Sequence, residues 1–381
     1  MNNNFVAVLD FGSSKITCMA ATKVAGKSDF IIRAVGQTTY NGFDENEWYE
    51  PDTVATAVND AVSQVEKKIG TNVKELYVGV PGAFCATATS EASVTFHSKK
   101  KIDADDVREV VKKANIFDAG TEYSAMVGKP VYFILDGVLK TFEPIGSVAS
   151  KLTALVSFSF MKNYFRNSVS TILSQRGIKK VTYLNTCDAE SQFVVQNNVQ
   201  TDYCIVLDIG HITSNVMLCG GKSLLFAKSF ALGSGYLASD LCQVEGCDFK
   251  TAMAALEKVN LSLEFRDSDV YNVNGRAFDA KRTNEILKSR IEQIANYIIK
   301  SFQYCDREIP YNTPIVLTGG GLTYLRGGAY ALSSCLGKNV TVYESANPQT
   351  NRNEYTSCYG LISEAIKNNS AKSGLFSFLR R

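Results

Sequence analysis

Histidine is nearly missing from this chain of 381 residues: His97 and His211 are the only two. That leaves no material for a His-based metal site and argues against a Ser-His-Asp triad. Charge of one sign is missing too. The formal net charge is +2, so nothing global attracts a polyanion, and no nucleic-acid partner is expected. No long apolar run opens the chain. The run after Met1 to Asn4 reaches Asp10 within six residues, too short for a signal core or a membrane span. No CxxC occurs. The ten cysteines are scattered, with only Cys242 and Cys247 close together. Reduced, mostly buried thiols in a cytosolic protein are the expectation. Tryptophan occurs once, as Trp48, in an acidic loop from Asp44 to Glu50. It is expected to be exposed and available to a partner.

What is present is an ordinary globular composition, 45% hydrophobic and 20% charged. The length is too great for one compact core, so two domains or a duplicated architecture are expected. Phe5-Val-Ala-Val-Leu-Asp10 reads as a buried strand running into Asp10-Phe-Gly12. Ser13 to Ala20 can return as its hairpin partner. Helical spacing from Asp52 to Ile69 predicts a helix with Asp52 as N-cap and Gly70 as stop. Leu76 to Val80 reads as another strand. A small α+β unit follows, with strands at Ser90 to Phe96, Val131 to Leu135 and Leu152 to Phe160. It includes a charged turn at Lys99-Lys-Lys101, solvated or touching a neighbouring subunit, and a helix capped by Asp103.

The opening pattern then returns about 200 residues later. Tyr203-Cys-Ile-Val-Leu-Asp208-Ile-Gly210 repeats the first strand and its Asp-x-Gly turn. Two related halves with a cleft between them are the natural reading. After a helical region and a polar stretch, Arg282 to Phe302 predicts a long helix. Pro314-Ile-Val-Leu-Thr318 then predicts a strand running into Gly319-Gly320-Gly321.

These loops suit a polyphosphate. Gly12 and Gly210 let backbone N–H groups converge on an anion. Ser13, Ser14, Thr213 and Ser214 offer hydroxyls, and Lys15 offers charge. Asp10 and Asp208 would hold Mg²⁺ through its waters. Gly319, Gly320 and Gly321 would let a nucleoside approach the backbone.

At this point the residues resemble the actin/Hsp70/hexokinase superfamily and, within it, the FtsA family of bacterial cell-division proteins. Val8-Leu-Asp10-Phe-Gly12-Ser-Ser-Lys15 is similar to that family's first phosphate loop, and Leu207-Asp208-Ile-Gly210 to the start of its second. Leu232-Gly233-Ser234-Gly235 resembles the entry to subdomain 2B, and Val316-Leu-Thr-Gly-Gly-Gly321 the adenosine loop. Tyr132-Phe-Ile-Leu-Asp136-Gly137 and Pro144-Ile-Gly146 resemble parts of the 1C subdomain that distinguishes FtsA from actin. The resemblance implies an α/β actin-like two-domain fold, with duplicated RNase H-like halves and a 1C insertion. It places subdomain 1A at 1–85 and 165–200, and an SHS2-like 1C at 86–164. Subdomain 2A falls at 201–235 and 306–366, 2B at 236–305, and a linker with tail at 367–381.

The resemblance also implies ATP and Mg²⁺ as cofactors and Glu285 on the long helix near the base. For Glu285 and Arg290 an exposed helix face is the other reading. The second loop departs from the family. His211 and Ile212 stand where Gly is expected, and Asn215 replaces an Asp. His211 also suits a packed or capping role. Asn185-Thr186 stands where a Glu-Pro opens the connecting helix, and an amide is no base. Asp188, nearby, is the remaining catalytic candidate. Nucleotide binding with at most slow hydrolysis follows.

The last segment is polar and then amphipathic. Leu375, Phe376, Phe378 and Leu379 are apolar; Arg380 and Arg381 are basic. This suits a weak anchor on anionic lipid or a segment docked on its own domain. The implied function is a polymerising, ATP-binding protein that links FtsZ filaments to the cytoplasmic membrane. It would lie on the membrane's inner face at the division site and meet other division proteins through 1C. A PilM-like scaffold of a pilus or secretion machine is the alternative within the fold. An Hsp70-like or sugar-kinase-like ATPase is the alternative from another class.

Overall fold

A computed structural model describes residues 5–24, 29–43, 47–195 and 203–371. The first half opens with β1 (Val6–Phe11), β2 (Lys15–Lys23) and β3 (Phe30–Thr39), followed by α1 (Pro51–Ile69) and β4 (Glu75–Val80). Helix α1 buries Val54, Val58, Val62 and Val65, each contributing about 1.5–3 kcal/mol by leaving water. It ends where expected, at Gly70 with φ of 71°. Its start differs: Glu50 holds the cap position and Asp52 lies in the first turn, with Pro51 supplying the helical φ.

An inserted unit follows: β5 (Cys85–Lys101), α2 (Ala104–Ala114), β6 (Tyr123–Ala125), β7 (Lys129–Leu135), β8 (Leu139–Thr141) and β9 (Val148–Lys162). Its sheet runs β5-β9-β7-β8, with β6 also on β9. Asp103 caps α2 through a capping box with Asp106. Lys99 to Lys101 is not a turn. After a bulge, β5 resumes pairing at Lys100 opposite Ala149, and Lys100 Nζ reaches Asp106 Oδ1 at 2.8 Å. That ion pair lets a charged run extend the strand.

The chain returns through α3 (Asn163–Gln175), β10 (Lys180–Asn185) and α4 (Thr186–Val195). The second half then begins with β11 (Tyr203–Ile209), β12 (Ser214–Gly220) and β13 (Ser223–Phe230), followed by α5 (Gly235–Glu245) and α6 (Phe249–Leu256). The stretch read as merely polar contains a hairpin of β14 (Val270–Val273) and β15 (Arg276–Asp279). Asn274 and Gly275 form its turn with φ of 51° and 83°, the geometry a two-residue hairpin loop requires. Helix α7 (Ala280–Ser301), β16 (Ile315–Thr318), α8 (Gly328–Leu336), β17 (Val340–Val342) and α9 (Thr356–Ala371) complete the fold.

The two main sheets share one plan. The first has the order β3-β2-β1-β4-β10; the second has β13-β12-β11-β16-β17. In each, the first two strands are antiparallel and the last two join in parallel. Asp10 faces Thr17 across its ladder, as Asp208 faces Asn215 across the other. The repeat seen in the sequence is therefore a repeat of topology. Helices α4 and α9 pack at the junction so closely that a Cβ on Gly360 would lie 2.4 Å from the Ala189 carbonyl oxygen.

Trp48 is not exposed. It is 5% accessible and its ring lies 4.9 Å from Phe84, 5.6 Å from Phe11 and 5.7 Å from Phe43 and Phe165. The aromatic payload outweighs its acidic sequence neighbours. This cluster underlies the first loop, because Phe11 directly follows Asp10. All ten cysteines are free thiols; five are fully buried and Cys335 is exposed. Among the described residues no helix is long and apolar enough to cross a membrane. The tail residues Leu375, Phe376, Phe378, Leu379, Arg380 and Arg381 lie outside the described residues.

Candidate functional site

The two Asp-bearing strand ends point into one cavity of about 240 Å³. From the first loop it is lined by Asp10, Gly12, Ser13, Ser14 and Lys15. From the second come Asp208, Gly210 and Thr213, and from behind them Ser234, Gly319 and Gly320. Gly319 holds φ of 86°, and a Cβ there would lie 2.2 Å from Asp208 Oδ1. Only glycine lets this loop pass so near the carboxylate.

The loops touch each other. Ser13 Oγ accepts from the backbone N–H of Ile212 at 3.0 Å and of Thr213 at 3.3 Å. Two donors that suit an anion are thus engaged by a hydroxyl from the opposite half. Tyr40 Oη donates to the Gly12 carbonyl at 2.8 Å, bracing the first loop from behind.

Several expected residues lie elsewhere. Ser214 Oγ donates to the Leu232 carbonyl at 2.7 Å and is fully buried. Gly233 and Gly235 pack against His211 rather than the cavity, and Gly321 against the Ile209 carbonyl. Glu285 is exposed on α7 and does not line the cavity. Arg290 forms a bidentate pair with Asp240, Nε to Oδ2 at 2.6 Å and Nη2 to Oδ1 at 2.5 Å, tying α7 to α5. His211 lines the cavity and packs edge-on to Phe249. Burial lowers its pKa from the ordinary 6.5.

Asp188 is also elsewhere. Its Oδ2 receives Lys129 Nζ at 2.7 Å, and its Oδ1 accepts from Ser223 Oγ at 2.9 Å and Leu224 N at 3.1 Å. Lys129 also meets Glu364 Oε1 at 2.7 Å. Burial alone would lower the Lys129 pKa, but Asp188 and Glu364 outweigh it and hold the ammonium above its usual range. This is a structural triad joining β7, α4 and α9. Asn185 caps α4, its Oδ1 accepting from Asp188 N at 3.3 Å.

Glu190 is the α4 carboxylate that faces the cavity. It is 2% exposed. Burial, then the charges of Asp208 and Asp10, push its pKa well above the carboxylate range. Asp208 is raised to about 6, by burial and by Asp10, against an opposing hydrogen bond from Asn215 Nδ2 at 3.0 Å. Burial also raises Asp10; Ser357 Oγ at 2.7 Å, Cys358 Sγ at 3.7 Å and the charge of Lys15 oppose it. Three carboxylates around one cavity are a donor set that suits a hydrated divalent cation. Among the described residues, no three acidic, His or Cys side chains converge to grip a metal directly.

No protein-family profile matches the chain. Its curated relatives are alike, however. Cell division protein FtsA of Enterococcus faecalis is 23% identical over 324 residues, covering 82% of this chain and 72% of the relative. FtsA of Streptococcus pneumoniae is 24% identical over 354 residues, covering 89% and 75%. Five further relatives carry the same name. The chain is similar to FtsA proteins over most of its length. Solved structures agree on the fold. The PilM-PilN type IV pilus biogenesis complex matches with a TM-score of 0.60 at 15% identity, over 95% of this chain and 98% of that one. MreB5 of Spiroplasma citri bound to AMPPNP matches at 0.58 and 8% identity, over 98% and 100%. The fold is actin-like.

Sequence reasoning missed Glu190 and Ser357 as cleft residues, and Cys358 as a neighbour of Asp10. Glu190 lies two positions from Asp188, about 200° away around the helix. Helical phase, set by the burial of Asp188 against β13, could have singled it out.

Proposed function

We propose that the chain binds ATP with Mg²⁺ in the cleft between its halves and uses the nucleotide to set its conformation and self-association. In this reading it is a cell-division adaptor on the inner face of the cytoplasmic membrane, linking FtsZ filaments to that surface. One observation carries the nucleotide reading: two topologically equivalent strand-end Asp loops and the Gly319-Gly320 turn line a single cavity.

Ser13, Ser14, Thr213 and Lys15 would hold phosphate oxygens, and Gly319 and Gly320 would flank the nucleoside. Asp10 and Asp208 would hold the waters of Mg²⁺, which neutralises phosphate charge when bound. An entering phosphate takes over the Ile212 and Thr213 amides from Ser13. Nucleotide binding is thereby linked to the contact between the halves. Fast hydrolysis is not expected, since Asn185 is a helix cap and Asp188 is held by Lys129.

The inserted unit would act as the 1C-type contact surface, toward neighbouring subunits and other division proteins. Its exposed Val138, Leu139 and Val148 supply apolar area for such contacts. The amphipathic end, with Leu375, Phe376, Phe378, Leu379, Arg380 and Arg381, would anchor to anionic lipid. So few apolar residues bind weakly singly, and attachment would come from several copies on a polymer.

The test is co-sedimentation of the full chain, and of a chain lacking residues 372–381, with anionic liposomes and FtsZ. The full chain should pellet with lipid and carry FtsZ down, and the truncated chain should do neither. If the full chain binds neither, the adaptor reading fails. Rapid ATP turnover would point instead to an enzyme.

A further inference from the structure

We propose that Cys242 and Cys247 are a redox-responsive thiol pair, which a hydroperoxide closes into a reversible disulfide at the corner between α5 and α6. The proposal goes beyond the nucleotide reading and stands or falls apart from it.

Helix geometry brings the two thiols together. Helix α5 stops at Gly246, whose φ of 60° turns the chain back over the last helical turn. The amide of Gly246 donates to the Cys242 carbonyl, and the amide of Cys247 donates to the same oxygen at 3.3 Å. In a helix stop of this kind the side chains of those two bonded positions meet; here both are cysteine. Their thiols interact directly. Burial, then the charge of Cys242 and a hydrogen bond with it, hold the Cys247 thiol above its usual range, against the charge of Arg276.

The surroundings suit a reactive pair. Cys242 and Cys247 are half-buried and flanked by exposed Gln243, Val244, Gly246 and Asp248, so a small oxidant reaches them. Cys204 and Cys219 also stand opposite each other, on β11 and β12, but each is 1% exposed and shielded. Reactive thiols sit in electropositive, partly exposed settings. Arg276 supplies the charge. Its guanidinium donates to the Glu245 and Gly246 carbonyls, to the latter from Nη1 at 3.2 Å, and so quenches the negative end of α5 beside the thiols.

Cys247 keeps its proton and donates to the Leu241 carbonyl at 3.7 Å, which leaves Cys242 to meet the oxidant. The Cys242 sulfur takes one peroxide oxygen and becomes a sulfenic acid, while the O–O bond breaks and water or an alcohol leaves. Cys247 then attacks that sulfur; the S–O bond breaks, the S–S bond forms, and the Cys247 proton departs with the hydroxyl as water. The two thiols lose two electrons and the peroxide gains them. The loop so closed is short, so the bond adds less stability than a long-range one, and an exposed bond of this kind is readily reduced by a dithiol. It would fix the corner from which α6 starts. Phe249 of α6 packs on His211 with ring centroids 6.2 Å apart, and Met253 lines the cleft, so the bond would stiffen one cleft wall.

The experiment treats reduced full-length protein with hydrogen peroxide, alkylates the remaining thiols and maps peptides by mass spectrometry. Both cysteines lie on one tryptic peptide, Ser229 to Lys250. That peptide should lose two hydrogens and both alkylation marks, and dithiothreitol should restore them. Cys247→Ser should instead trap a sulfenic acid on Cys242, captured by dimedone. Hydrogen exchange across α6 should slow severalfold when wild type is oxidised and stay unchanged in the variant. A peptide that remains fully alkylated while Cys335 oxidises overturns the proposal. A link between Cys204 and Cys219 in its place, which would need the fold to open, also overturns it. Unchanged exchange in protein that carries the Cys242–Cys247 link refutes the stiffening of α6.

Discussion

Replacing Asp188 by Ala should unfold this protein more readily while leaving the cleft chemistry in place. Asp188 is buried, and its two oxygens hold Lys129, Ser223 Oγ and Leu224 N. Breaking a buried ion pair by deleting one partner costs about 3–5 kcal/mol. The Lys129 side chain is 34% exposed and keeps Glu364, so solvent and the second acid soften the loss to about 2 kcal/mol. Leaving the Leu224 amide and the Ser223 hydroxyl without their acceptor adds about 1 kcal/mol each. The sum is roughly 3–4 kcal/mol. Asp188→Asn keeps one acceptor oxygen and should cost about half as much. Pairing it with Lys129→Met should recover part of the loss, a coupling of about 1–3 kcal/mol. The assay is denaturant unfolding followed by Trp48 fluorescence, a single buried reporter beneath the first loop. A cost below about 1 kcal/mol, or lost ATP binding with unchanged stability, would refute the structural role.

Three further outcomes follow from the same geometry. Burial lowers the His211 pKa from its ordinary 6.5. The folded state resists protonation, so stability is complete above pH 6.5 and declines as pH falls below it; His211→Gln should flatten that decline in unfolding curves taken across it. Gly319→Ala should cost at least about 1–2 kcal/mol from its left-handed backbone alone. It should also displace Asp208, seen as weaker binding of an ATP analogue. Ser13→Ala removes the acceptor from the Ile212 and Thr213 amides, and hydrogen exchange at those two should quicken about three- to tenfold.

Much of the fold was legible because it obeys simple periods. The strand-Asp-x-Gly unit occurs twice, and the two copies proved to be equivalent strands of equivalent sheets. Asp103 announced α2 because a cap side chain meets its own helix locally. What was not legible depends on partners far along the chain. Lys99 to Lys101 reads as a turn until Asp106 neutralises Lys100. Trp48 reads as exposed until Phe84 and Phe165 are placed around it. Asn274-Gly275 was a readable hairpin signal inside a stretch taken as polar loop. The site was half legible for the same reason. Loop residues identify themselves by type, so Asp10, Ser13, Asp208 and Gly319 could be read from the sequence, and they line the cavity. Asp188 and Glu190 share one short helix, and only its packing decides which of them faces the cavity.

The central claim is that the cleft between the two halves holds ATP. Calorimetric titration of the full chain with ATP and Mg²⁺ tests it most directly, with Asp10→Asn and Asp208→Asn as companions. One nucleotide should bind per chain, and each variant should weaken binding at least tenfold while Trp48 fluorescence reports an intact fold. Folded wild-type protein that binds no ATP into the low-millimolar range would contradict the account.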